Sequence, residues 1–142
     1  MAMISVQRVS SRAQFLFDGQ ARAEDMIFEA VKAEAARCDL NAKIETKKMK
    51  SGGFMITKSK EEIIRITSKG FSDIYIITRT VGTYLYVSIV TMSKPDAQRE
   101  EDIFLQETFY AYWFACILTL LKALKSIGLD VEEELKTVLD KV

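Results

Sequence analysis

From Thr108 to Leu121 no charged residue interrupts the chain, and the large apolar side chains in and around this run recur at helical spacing on two sides at once. One stripe passes through Ile103, Tyr110, Trp113, Phe114, Ile117, Leu121 and Leu124, and a second through Leu105, Phe109, Tyr112, Cys116 and Leu120. A helix that is apolar around its circumference cannot lie on a sheet with its back in water. Each large side chain left exposed forfeits ~1.5 to 3 kcal/mol, so four or five on a second face would forgo on the order of 10 kcal/mol, as much as a domain's whole net stability. The run therefore predicts cover on at least two sides. Either the first and last helices sandwich it within one chain, or its surplus face meets a second copy or an apolar ligand.

The run falls short of the ~20 residues that cross a bilayer. Met1 to Phe17 is broken by Gln7, Arg8, Ser10, Ser11, Arg12 and Gln14, so it holds no apolar export signal. These two features predict a cytoplasmic protein with no membrane partner. With 142 residues, the chain has the length of a single domain spanning 1–142.

Around the long helix, Ala23, Met26, Ile27, Ala30, Val31, Ala35 and Cys38 mark one face of a first helix over Gly19 to Cys38, with Asp18 at its N-cap. Short β-branched and aromatic runs predict strands at about 41–50, 53–58, 61–67, 72–80 and 83–92, reversed at Ser51-Gly52-Gly53, Ser68-Lys69-Gly70 and Val81-Gly82-Thr83. In the last strand Leu85, Val87 and Ile89 alternate with Tyr84, Tyr86 and Ser88, which separates a core face from an aromatic, partly polar one. Pro95 and the acidic Asp96, Glu100, Glu101 and Asp102 open the long helix, Gly128 stops it, and Asp130-Val131-Glu132-Glu133 begins a short C-terminal helix. Residues 1–17 read as a loose arm or an extra strand. The expected fold is α+β: an N-terminal helix, a five-stranded antiparallel meander, a long apolar helix packed on the sheet, and a short C-terminal helix. No family motif is present. The order of elements resembles the layout of helix-grip proteins, a resemblance that implies an apolar ligand held under a curved sheet.

The chain contains no histidine, which excludes His-based triads and dyads, HExxH zinc sites and imidazole switches. Cys38 and Cys116 lack the spacing of a zinc site or redox pair and read as two small buried thiols in a reducing compartment. Glu107, one turn before Tyr110, is the best isolated candidate for an acid with a raised pKa, against the plainer reading of a solvated residue at the border of the run. Glu100, Glu101 and Asp102 have no second acidic pair at metal-binding spacing. Neither a catalytic residue, a metal site nor a cofactor is indicated, and the reading leans away from an enzyme.

Two groups of residues remain as binding candidates. Tyr84, Tyr86, Phe109, Tyr110, Tyr112, Trp113 and Phe114 form an aromatic set suited either to lining a ligand cavity or to building a subunit interface. Lys43, Lys47, Lys48, Lys50, Lys58 and Lys60 belong to a stretch, residues 41–70, in which eight basic side chains face three acidic ones; from 96 to 142 the counts are five and ten. Zero formal charge overall thus conceals a basic segment. Lysines on outer strands also block edge-to-edge pairing, which is the plainer reading. Three functions follow in order. The first is a non-enzymatic protein-interaction module, homodimeric through the long helix. The second is a carrier of an apolar or aromatic small molecule between sheet and long helix, and the third a nucleic-acid binder using the lysine-rich strands.

Overall fold

A computed structural model of the protein describes residues 9–48, 62–92 and 103–131. Within them the chain is α+β, with five antiparallel strands and two α-helices. The elements are β1 (Val9–Phe17), a 3-10 helix (Ala21–Met26), α1 (Ile27–Arg37), β2 (Lys43–Lys48), β3 (Glu62–Thr67), β4 (Ile74–Val81), β5 (Tyr84–Met92) and α2 (Ile103–Ser126).

Strand order β1-β5-β4-β3-β2 makes a meander of the last four strands and brings the first to the far edge, beside the last. The expected sheet is corrected here. Its fifth described strand is β1, paired antiparallel with β5 from Val9↔Met92 to Phe17↔Leu85, so residues 9–17 are an added strand and not a loose arm. The strand expected at 53–58 lies outside the described residues, as does the C-terminal helix beyond Val131. Gly82, with φ of +60°, occupies the first central position of the two-residue loop that closes Val81 on Tyr84; a single positive φ there is the type II′ geometry that matches strand twist.

The first helix differs from expectation at its start. Asp18 sits in a turn, the flanking residue is Gln20, and no side chain caps the 3-10 segment that precedes α1. Both α-helices end in the same paired motif. After α2 the Leu129 N–H donates to the Leu124 carbonyl (2.8 Å) and the Gly128 N–H to that of Lys125 (3.1 Å), with Gly128 left-handed at +89°. After α1 the corresponding bonds are Leu40 to Ala35 (2.9 Å) and Asp39 to Ala36 (3.3 Å), and Asp39 takes the left-handed position that glycine takes after α2.

Register decides which side chains meet. Phe15↔Val87↔Thr78, Ala13↔Ile89↔Ile76 and Ile44↔Ile66↔Ile74 run across the sheet on one face. That face joins Ile27 and Val31 of α1 and Trp113, Cys116, Leu120 and Leu124 of α2 in a single core. The two helices pack on each other over it. On the opposite face Arg65 Nε donates to Glu45 Oε1 at 2.8 Å, and Lys43 reaches Glu45 at 3.5 Å. The Arg65 hydrogen bond holds the Glu45 carboxyl below its ordinary range. Because the folded value is the lower one, this stabilisation is present above the unfolded-state pKa and is lost as pH falls through the folded value. A carboxyl-resolved NMR titration should place the Glu45 midpoint below that of a free glutamate, and return it there in Arg65→Gln.

Candidate functional site

α2 is 24 residues long, and its two flanks meet different surroundings. Trp113, Cys116, Thr119, Leu120, Ala123 and Leu124 are buried on one flank. On the other, Tyr110 is 50% exposed, Phe114 63% and Leu118 51%, with Ile103 at 62% beginning the same stripe. Phe104 and Leu105, in the first turn, are exposed as well. Among the described residues the expected cover on two sides is therefore met on one side only, and the C-terminal helix expected to share in it lies outside them.

A small aromatic cluster fixes the N-terminal half of the helix. Phe71, in the loop between β3 and β4, stacks on Tyr112 with centroids 4.9 Å apart and planes at 17°, and lies 6.1 Å from Phe109. Such pairs add about 0.5 to 1.5 kcal/mol beyond the burial of their area. Phe109 in turn meets the edge of Tyr110 at 6.0 Å. The Tyr112 hydroxyl is buried with no hydrogen-bond partner among the described residues, and burial pushes its pKa up. Phe71 was not among the sequence candidates; its one local signal is its position directly after the turn Ser68-Lys69-Gly70.

The structure thus divides the aromatic set three ways. Phe109, Tyr112 and Trp113 turn toward the body of the protein, and Tyr110 and Phe114 turn away from it. Tyr84 and Tyr86 lie on the sheet face opposite the helices, where the Tyr86 hydroxyl donates to Gln14 at 3.1 Å. The middle of that opposite face is also withdrawn from solvent, with Ile63 at 5%, Ser88 at 4% and Val90 at 1% exposure. Lys43 and Lys47 lie on the same side as Glu45, Lys48 points to the other side, and Lys50, Lys58 and Lys60 lie outside the described residues.

A cleft of about 270 Å³ opens between the start of α1 and strands β3 and β4. Ile64 and Ile76 form its apolar wall, and Glu24, Glu29 and Glu62 give it acidic groups. None of the aromatic candidates lines it. Among the described residues no three Cys, Asp or Glu side chains come together in a way that would hold a metal ion.

The two thiols are not equivalent, which corrects the expectation that both are buried. Cys116 is enclosed, and burial pushes its thiol up to about 12. Cys38 is exposed at the end of α1, with its sulfur 3.8 Å from the Thr119 hydroxyl. A thiolate-selective reagent at pH 8 should label Cys38 alone in the folded protein and both cysteines in denaturant. Labelling of both under native conditions would contradict this arrangement.

By length and composition α2 would also reach across a bilayer, with a mean hydropathy of 1.3. Its inner flank nevertheless supplies Cys116, Leu120, Ala123 and Leu124, all at 0% exposure, to the core shared with α1 and the sheet. No protein-family model, no curated protein and no solved structure matches the chain.

Proposed function

We propose that the protein is a non-enzymatic interaction module that acts as a homodimer through the outward flank of α2. One observation carries this reading: Tyr110, Phe114 and Leu118 follow one another at four-residue spacing and are each half exposed or more. Such a patch on a stable fold marks an interaction surface. Scaled by their exposed fractions, these three side chains are worth ~3 to 4 kcal/mol per copy when buried. Including Ile103 and Phe104 raises the gross gain for two copies to roughly 13 kcal/mol, near the upper end of the ~4 to 15 kcal/mol that association costs in lost rigid-body freedom. A dimer in the micromolar range is the expected balance.

The other two readings have less support. A carrier site between sheet and α2 draws on aromatic residues that face three different ways. Nucleic-acid binding draws on lysines of which Lys43 already pairs with Glu45. Light scattering coupled to gel filtration, run from low to high micromolar concentration, tests the proposal. The mass should climb from 16.1 kDa toward twice that value. A mass that stays at one chain throughout removes the dimer, and a single chain that instead sediments with lipid vesicles assigns the exposed flank to a membrane surface.

A further inference from the structure

The outward flank of α2 carries a regular seam. Glu107, Ala111, Phe114, Leu118, Leu121 and Lys125 are spaced by four, three, four, three and four residues, the heptad alternation that keeps a helix facing a partner helix. All are exposed except Leu121, which is half-buried and contacts the core from the side. The seam is palindromic in position but not in chemistry. Its ends carry opposite charges, and within it a small residue stands at one place and larger ones at the others.

We propose that the partner of this seam is a second copy of α2 running antiparallel, with the twofold axis passing at the level of Cys116. The inference rests on the dimer reading above and adds its geometry. Antiparallel pairing about that level sets Glu107 opposite Lys125 of the second copy at both ends, Ala111 opposite Leu121, and Phe114 opposite Leu118. Parallel pairing would set Glu107 on Glu107, Lys125 on Lys125, Phe114 on Phe114 and Ala111 on Ala111. That arrangement places like charges together and puts the bulkiest pair directly next to the smallest along the seam, whereas a helix seam favours complementary charge and evenly filled layers. Antiparallel helices also align their dipoles favourably.

The area is sufficient for the task. The exposed portions of Ile103, Phe104, Tyr110, Phe114 and Leu118 amount to on the order of 600 Å² per copy, the lower bound of roughly 600 Å² per partner for a specific stable interface. Neither Glu107 nor Lys125 makes an ion pair among the described residues, so both are available to a second copy.

Single-cysteine variants test the orientation. In a Cys38→Ser background, Glu107→Cys and Lys125→Cys are prepared separately, then each alone and the two mixed are treated with a short bis-maleimide, while light scattering reports the mass. The antiparallel seam gives a covalent dimer only in the mixture, because identical positions lie ~27 Å apart at 1.5 Å per helical residue. Covalent dimers from each variant alone, with no preference for the mixture, mean parallel helices and overturn the orientation while leaving the dimer. A dimeric mass with no cross-link in any combination overturns the seam, and a monomeric mass overturns the dimer itself. Charge reversal supplies a second readout. Glu107→Lys should raise the dissociation constant about tenfold, and adding Lys125→Glu should restore it. Failure of the double variant to recover would count against the pairing.

Discussion

Phe114→Glu is expected to leave the protein folded and to convert it to a single chain at every concentration that can be measured. The side chain is 63% exposed in one copy, so the substitution removes no support from the core and should leave helical content and thermal midpoint nearly unchanged in dilute solution. In the proposed dimer the same position would be enclosed by apolar side chains of the second copy. Two carboxylates would be desolvated there without partners, at a cost of about 4 kcal/mol or more, which corresponds to a dissociation constant roughly a thousandfold weaker. Sedimentation velocity on wild type and variant reads both the mass and the constant. An unchanged constant would show that Phe114 lies outside the contact.

The reverse outcome is expected for Leu120→Ala, six residues further along the same helix. Leu120 has no exposed surface and belongs to the core shared with Val31, Ile66, Val87 and Trp113. Truncating it removes the transfer free energy of the side chain and leaves a cavity between α1, α2 and the sheet, together about 3 kcal/mol. With a urea dependence of ~2 kcal/mol per molar for a domain of this size, the unfolding midpoint should fall by roughly 1.5 M. Leu118→Ala is the matched control: two residues away but 51% exposed, it should leave the unfolding free energy of the monomer within ~0.5 kcal/mol. Equal losses for the two would mean that the flanks of α2 have been assigned the wrong way round.

Those two flanks also mark the limit of what the sequence discloses. The C-terminal end of α2 and its stop at Gly128 were legible, because glycine two positions past the last helical residue adopts the left-handed conformation of the terminating motif without strain, whereas the expected start at Pro95 lies outside the described residues. The alternation of Leu85, Val87 and Ile89 with Tyr84 and Tyr86 assigned the faces of β5 correctly, since strand periodicity needs only local order. Which side of α2 faces inward was not legible. With apolar residues all round, no polar stripe orients the helix, and the choice falls to contacts with residues far away in the chain, Phe71 among them. The partner of β1 was hidden for the same reason: β1 is as suited to either edge of the sheet by its own composition, and only the packing of the whole places it beside β5. The tyrosines were legible as candidates one at a time, but their separation onto opposite faces depends on this long-range pairing.

The pairing of β1 with β5 has a bearing on how the protein is made. Val9 must wait for Met92, so the first strand leaves the ribosome long before its neighbour among the described strands exists. Local hairpins such as β4–β5 can form within microseconds, whereas closure over some eighty residues carries the entropy of a large loop and sets the pace of the final step. Until that step is complete, β5 presents an open hydrogen-bonding edge beside apolar side chains, the condition in which nascent chains are most prone to join one another wrongly.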